Sequence, residues 1–232
     1  MNYSAILLLA GKSTRFNADL NIEYTNHSNK VYEKVLDKSL FEYSLDVFEN
    51  DDCCDKIIIV YNKNDEEILF NSIKSEKVIY ALGGSERYKS VLNGLDYVKT
   101  EYVLVHDGAR PLITKEMVNK VLDALKSSDC VSIGLPVTDT IKKVNNNGYI
   151  TTVDRDSLYS VQTPQGAKTE LLKYALNKCN DEDKITDDLM AIEKYTSIVP
   201  KIVLGNKTNI KVTTKLDLKL VELYLKLGEW YV

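Results

Sequence analysis

Strand-like apolar runs alternate with stretches of helical periodicity along most of this chain. The apolar runs predict strands at Tyr3–Leu9, Lys56–Val60, Lys77–Tyr80, Tyr102–Val105, Val131–Leu135 and Ser197–Leu204. Apolar residues also share a helical face at Tyr88, Val91, Leu92, Leu95 and Val98, and at Met117, Val118, Val121, Leu122 and Leu125. A near capping box at Thr214–Asp217 predicts a last helix that continues to Leu227. Continuous apolar strands between amphipathic helices predict a mainly parallel sheet covered by helices on both faces.

The chain of 232 residues is long enough for one α/β domain, and no linker, repeat or low-complexity tract divides it. We therefore predict a single Rossmann-like domain over residues 1–232, with ligands bound where the strand order reverses. One segment, Thr140–Val153, instead alternates at period two around Asn147-Gly148, a strong hairpin signal. We predict a protruding β-hairpin arm over about residues 138–160, which is either a flap over the site or an arm that reaches a second subunit.

The charge balance and the cysteine content exclude several classes of function. A net charge of −4 lacks the basic footprint of a nucleic-acid-binding protein, so an anionic ligand must be held by a few placed lysines and arginines. The four cysteines have no metal-ligand spacing and there are only two histidines, so we expect reduced thiols and no structural zinc. No apolar stretch approaches a membrane span, and no basic leader precedes the first strand. We therefore expect a cytoplasmic location and no membrane partner.

The stretch ILLLAGKSTRF, residues 6–16, ends a predicted strand in a loop of small residues. A P-loop would need a glycine five residues before Gly11, and that position is Ile6, inside the strand. A P-loop NTPase or kinase, which would depend on Lys12, is therefore disfavoured. An alternative is a strand followed by Ala10-Gly11 and then Arg15, in which backbone amides approach a phosphate or a base and the arginine adds charge.

Further polar segments follow the later strands. GGSER (Gly83–Arg87) opens the predicted helix that carries Ser90, and its glycines suit a loop that passes close to a ligand. Asp107 ends a buried strand, where a carboxylate can hold a hard cation that bridges phosphates. QTPQG (Gln162–Gly166) is predicted to be a rigid polar turn before a helix, and Lys211 is predicted to lie on a short strand. Each segment also has an ordinary structural explanation, such as a helix cap or a turn carboxylate.

Taken together and in this order, the segments resemble a family of cytidylyltransferases. These enzymes make 4-diphosphocytidyl-2-C-methyl-D-erythritol from CTP and 2-C-methyl-D-erythritol 4-phosphate in the non-mevalonate isoprenoid route. The resemblance rests on LAGKSTRF, NKVYEKVLDKSLFEYSL, GGSERYKSVLNGL, VHDGARPL, PVTDTIKKV, TVDRDSLYSVQTPQG, TDDLMAIE and NIKVTT, which together span nearly the whole chain. The related ribitol-5-phosphate cytidylyltransferases share the outer frame and remain an alternative.

The resemblance implies a role for each matching residue. Backbone atoms of Ala10 and Gly11 would frame the cytosine and the triphosphate, and Gly83, Gly84 and Ser90 would recognise the base and ribose. The catalytic cations that meet the phosphates would be Arg15, Lys30 and Lys211. Asp107 would help to bind both the nucleotide and a Mg²⁺ cofactor. The acceptor phosphate would lie near Arg110, Thr140 and Thr163. The arm would exchange between the subunits of a homodimer, so that Arg155 would serve the partner's site.

The implied reaction fits the residues that the sequence offers. The acceptor phosphate attacks the α-phosphorus of CTP in line, and pyrophosphate leaves. A phosphate monoester dianion needs no general base, so catalysis depends on charge compensation and alignment. The reaction therefore requires fixed cations and a metal, with no histidine or cysteine nucleophile. His106 accordingly has a structural role in supporting its turn.

Two departures from the family's pattern lie in the same place. The family usually has a glycine where this chain has Ser13, whose side chain could crowd the triphosphate or rearrange the loop. The stretch between Arg15 and Lys30, residues 17–29, is also longer than usual and rich in asparagine. It suits a lid that orders when nucleotide binds, or a looser surface loop with reduced CTP affinity. A non-catalytic nucleotide-binding homologue is therefore a further alternative.

Overall fold

The computed structural model describes residues 1–11, 13, 16 and 29–228. Its main element is a sheet of seven strands in the order β11-β7-β10-β6-β1-β4-β5. These strands are β1 (Tyr3–Leu8), β4 (Cys54–Tyr61), β5 (Val78–Leu82), β6 (Tyr102–Asp107), β7 (Cys130–Pro136), β10 (Tyr159–Lys168) and β11 (Lys201–Leu204). Two small antiparallel pairs accompany the sheet, β2 (Lys34–Val35) with β3 (Lys38–Ser39) and β8 (Lys142–Val144) with β9 (Ile150–Thr152).

The sheet is mainly parallel, as the sequence predicts. Strand β1 lies between β4 and β6 and is parallel to both, and β5 and β11 extend the sheet in parallel at its two edges. Strand β10 is antiparallel to both of its neighbours, β6 and β7. The prediction that Gln162–Gly166 forms a turn is wrong, because these residues lie inside β10. The ladder to β7 is interrupted between Val161 and Gln165, which is where Pro164 stands without an N–H to donate.

Helices cover both faces of the sheet, which confirms the predicted fold class. The helices are α1 (Leu40–Glu49), α2 (Glu66–Ser72), α3 (Arg87–Leu95), α4 (Lys115–Leu125), α5 (Thr169–Asn177), α6 (Asp188–Tyr195) and α7 (Lys215–Leu227). Successive residues of β1 point to opposite faces, so Leu7 packs in the core under α1 and α4, whereas Ile6 packs under α3 and α5. The predicted apolar faces of α3 and α4 are the buried ones.

The C-terminal helix closes a smaller third core. Its capping box is as predicted: the Thr214 hydroxyl accepts a hydrogen bond from the Asp217 N–H, and the Asp217 carboxylate accepts one from the Thr214 N–H. Val221 of α7 is buried against Val212 and Phe16. No helix of the described ranges is long and apolar enough to cross a membrane.

The predicted arm is a β-hairpin. Val144 of β8 pairs with Ile150 of β9, and both side chains are exposed. Gly148 has a φ of +81° in the connecting turn, a conformation that glycine adopts at little cost. The chain returns from the arm into β10 through a short 3₁₀-helix, Arg155–Ser157.

Candidate active site

A pocket of about 370 Å³ opens where the strand order reverses, beyond the carboxyl ends of β1, β4 and β6. This is the place at which doubly wound sheets bind their ligands. The predicted site residues that line it are Ala10, Gly11, Lys30, Gly84, Ser90, Asp107 and Lys211. The structure therefore brings together residues that are up to two hundred positions apart in the sequence.

One wall of the pocket is built by close backbone approach. A Cβ atom on Gly83 would stand 2.5 Å from the Cβ of Ala10, and one on Gly84 would stand 2.5 Å from the Cβ of Lys89. Any side chain at either position would therefore force this wall apart. The Ser90 hydroxyl accepts a hydrogen bond of 3.0 Å from the Gly84 N–H, which ties the glycine loop to α3.

Asp107, at the end of β6, is surrounded by cations. Its carboxylate oxygens lie 2.7 Å from Lys211 Nζ, 3.4 Å from Arg87 Nη2 and 3.9 Å from Arg110 Nε. Burial would raise the pKa of this carboxyl, but the charges of Arg87 and Lys211 outweigh burial and hold the pKa well below its usual range. Asp107 is therefore ionised at neutral pH, and its negative charge holds these three cationic side chains close to the pocket.

His106 supports the turn after β6, as the sequence predicts. Its Nε2 lies 3.1 Å from the carbonyl oxygen of Arg110 and its Nδ1 lies 2.9 Å from the Thr163 hydroxyl. A carbonyl can only accept, so Nε2 carries the proton and Nδ1 accepts from Thr163. The Thr163 hydroxyl also accepts the Asp107 N–H at 3.1 Å. Burial lowers the pKa of His106 to about 4, which keeps the ring neutral in this chain of hydrogen bonds.

The sequence analysis missed a second carboxylate, Asp188, and its partner Arg87. Arg87 lines the pocket and places Nη1 2.7 Å from Asp188 Oδ1 while Nη2 reaches Asp107. Asp188 is 1% exposed, and its N–H donates to Gln165 Oε1. Burial raises the pKa of Asp188, and the charge of Arg87 offsets part of that rise. The available signal was that both residues belong to segments on which the family resemblance rests, GGSER and TDDLM.

Ser13, where the family usually has glycine, also takes part in a hydrogen-bond network. Its hydroxyl accepts the Lys30 N–H at 3.1 Å and donates to Asn29 Oδ1 at 3.0 Å. Asn29 in turn donates from Nδ2 to the Leu9 carbonyl and to Asp65. No local sequence pattern indicated this network, because its members belong to three separate segments.

Lys211 lines the pocket but differs from its prediction in one respect, and the remaining predicted site residues within the described ranges do not line the pocket. Lys211 does not lie on a strand, contrary to the prediction. It is in the irregular segment before α7, next to Val212, whose N–H donates to the Ala109 carbonyl.

Arg110 is beside the pocket, where Nη1 donates to the Asn209 carbonyl at 2.8 Å. Thr140 and Arg155 belong to the exposed arm, where Arg155 donates to the Thr138 carbonyl. Their predicted roles remain predictions.

Several predictions concern residues outside the described ranges. These are Arg15, the P-loop alternative at Lys12, and residues 17–28 of the longer loop. Within the described ranges, no group of three or more histidine, cysteine, aspartate or glutamate side chains could hold a metal. The single carboxylate of Asp107 still fits Mg²⁺, which commonly takes one or two protein carboxylates and completes its shell with substrate phosphates and water.

This combination of a glycine wall, convergent cations and one ionised carboxylate at the switch point of an α/β sheet defines a nucleotidyltransferase. The family model described as IspD: 2-C-methyl-D-erythritol 4-phosphate cytidylyltransferase matches residues 4–227. The chain belongs to this family.

Individual relatives agree with this assignment. A 2-C-methyl-D-erythritol 4-phosphate cytidylyltransferase of Bacillus cytotoxicus is 38% identical over 229 residues, which cover 96% of this chain and 97% of the relative. The protein of that name from Alkaliphilus oremlandii is 39% identical over 96% of this chain and 94% of its own length. The crystal structure of 4-diphosphocytidyl-2C-methyl-D-erythritol synthase from Anaerococcus prevotii superposes with a TM-score of 0.83 at 29% identity, over 97% of this chain and 98% of that one.

Proposed function

We propose that this protein transfers the cytidylyl group of CTP to 2-C-methyl-D-erythritol 4-phosphate in non-mevalonate isoprenoid biosynthesis. A phosphate oxygen of the acceptor bonds to the α-phosphorus, the bond from that phosphorus to the β-phosphate oxygen breaks, and pyrophosphate leaves with the electron pair. The observation that carries the proposal is the cluster of Lys211, Arg87 and Arg110 around Asp107, beside a wall of glycines, in a chain of this family.

The cations would do most of the catalytic work. Two polyanions meet in the transition state, and fixed positive groups stabilise its charge without the cost of reorienting solvent. Lys30 and Lys211 line the pocket and would contact the triphosphate, together with Arg15. Arg110 and Thr163 would lie towards the acceptor phosphate. The attacking phosphate is already ionised, so the neutral His106 need not act as a base.

Mg²⁺ is the cofactor that we expect, held by Asp107 and by oxygens of the nucleotide. When bound, it neutralises part of the triphosphate charge and makes pyrophosphate a better leaving group. Asp107 is ionised in the folded protein, which suits it to this role.

The arm supports the further proposal of a homodimer in which each Arg155 serves the partner's site. The exposed side chains of Val144, Ile150 and Tyr149 give the hairpin an apolar surface. Sedimentation of the purified protein would test the dimer. We also propose a cytoplasmic location, in keeping with four free thiols, and cell fractionation would test it.

A panel of acceptors tests the proposed activity. The protein is incubated with CTP, Mg²⁺ and either 2-C-methyl-D-erythritol 4-phosphate or ribitol 5-phosphate, and pyrophosphate release is followed. We expect release with the first acceptor and little with the second. The reverse result would assign the protein to the ribitol-phosphate enzymes. CTP binding without release for either acceptor would indicate a non-catalytic homologue.

A further inference from the structure

Ser13 has an unfavourable backbone conformation for a residue with a side chain. Its φ is +51°, in the left-handed region, and its side chain is buried. This conformation costs a non-glycine residue roughly 1–2 kcal/mol, whereas glycine adopts it freely. Hydrogen bonds made by the Ser13 hydroxyl can offset this cost.

The hydroxyl makes two hydrogen bonds, and both go to the segment that carries Lys30. It accepts the Lys30 N–H at 3.1 Å and donates to Asn29 Oδ1 at 3.0 Å. The other end of the Asn29 side chain is also fixed, because Nδ2 donates to the Leu9 carbonyl at 2.6 Å and to Asp65 Oδ2 at 3.2 Å. The Asn29 side chain thus links the end of β1, the hydroxyl of Ser13 and the buried side chain of Asp65.

The Ser13 hydroxyl is one of the groups that hold the main chain of Lys30. Lys30 begins a short 3₁₀-helix, Lys30–Tyr32, that has no side-chain cap. The Ser13 hydroxyl instead fixes the main chain of Lys30 beside Gly11, where its side chain lines the pocket.

We propose that Ser13 is a positioning residue for the cytidylyl transfer, which sets Lys30 at the distance needed to contact the CTP phosphates. The inference rests on the proposed function. The Ser13 hydroxyl, which the family's glycine lacks, links the segment that follows β1 to the segment that carries Lys30.

Two variants separate this role from a purely structural one. Ser13→Ala removes the hydroxyl and keeps the unfavourable φ, whereas Ser13→Gly removes both. We expect kcat/KM for CTP to fall about 10- to 100-fold in both variants, as for a misplaced catalytic group, while KM for the acceptor stays within about twofold. The melting temperature should be lower for Ser13→Ala than for Ser13→Gly. Wild-type kcat/KM in Ser13→Gly would overturn the proposal.

Lys184→Gly is the matched control, because Lys184 has a φ of +50° and lies on the exposed loop before α6. It relieves the same backbone conformation away from the pocket, so its kcat/KM should stay within about twofold of wild type. A loss as large as that of Ser13→Gly would show that any relief of a left-handed residue lowers activity, and would overturn the proposal.

A double-mutant cycle with Lys30→Ala tests the link itself. If Ser13 acts through Lys30, Ser13→Ala should lower kcat/KM by less than about twofold in the Lys30→Ala background. A full and independent loss in that background would overturn the proposal.

The failure of the proposed function gives a different result. If the wild-type protein binds CTP but releases no pyrophosphate with any acceptor, that function is wrong. Calorimetric CTP affinity then decides the role of Ser13: weaker binding in Ser13→Ala supports it, and an unchanged Kd overturns it.

Discussion

Lys211 is the residue on which the charge balance at the pocket most depends. Its ammonium group is 2.7 Å from Asp107 and its side chain is 38% exposed, so the ammonium group can exchange this carboxylate for a phosphate. We expect Lys211→Ala to lower kcat by about 10²–10³-fold, as the loss of a donor to developing charge does elsewhere. Lys207→Ala, in an exposed position of the same loop, is the control and should stay near wild type. Steady-state pyrophosphate release measures both, and a loss below about threefold in Lys211→Ala would contradict the role.

His106 makes the stability of the protein depend on pH. Its pKa is lowered from 6.5 to about 4 in the folded state, so the unfolded chain binds more protons in this range. The free energy of unfolding therefore falls as the pH drops from 6.5 to 4, by about 3 kcal/mol from this group. His106→Gln should remove that part of the slope. Denaturant unfolding of both proteins at pH 7, 5.5 and 4.5 gives the comparison, and parallel slopes would refute it.

The sequence predicted those site residues that follow strand ends, and it missed those that do not. Gly84 and Asp107 lie at one edge because the parallel strands β5 and β6 present their carboxyl ends there, whereas Lys30 and Lys211 were assigned through the family resemblance. Arg87 and Asp188 are 101 residues apart, and their contact depends on how α3 and α6 begin beside each other. No local pattern encodes that packing.

At the scale of elements, β10 was missed because its sequence does not look like a buried strand. Its central residues are Gln162–Gly166, which are polar or small and include a proline. Most of their polar side-chain groups nevertheless have partners: Gln162 Nε2 donates to the Asn206 carbonyl and Gln165 Nε2 to the Ser132 hydroxyl, although Gln162 Oε1 has no partner within the described ranges. Tertiary hydrogen bonds thus replace the apolar pattern from which strands are predicted. The other six strands of the main sheet have continuous apolar runs and were predictable from them.

The cap of α7 has a measurable effect on stability. Thr214, three residues after Lys211, and Asp217 satisfy each other's backbone N–H groups. We expect Thr214→Ala to lower the free energy of unfolding by about 1 kcal/mol, whereas Thr214→Ser keeps the acceptor and should be close to wild type. Chemical denaturation measures both variants. Equal stability of Thr214→Ala and wild type would show that the cap contributes nothing.

At the scale of the whole molecule, the arm stands apart from the sheet. An isolated two-stranded hairpin is marginally stable in water, and the side chains of Val144 and Ile150 are both more than half exposed. A second copy of the chain would bury these side chains and would bring Arg155 to a pocket that its own subunit's arm leaves free.

Mixing two inactive variants tests that exchange. Arg155→Ala and Lys211→Ala should each be nearly inactive as homodimers. After unfolding and refolding together in equal amounts, about half of the dimers are mixed, and in each mixed dimer one site combines an intact Lys211 with an intact Arg155 from the partner. Pyrophosphate release should therefore recover to about one quarter of the wild-type rate. If Arg155 instead acts within its own subunit, every site of a mixed dimer lacks either Lys211 or Arg155, and no activity returns.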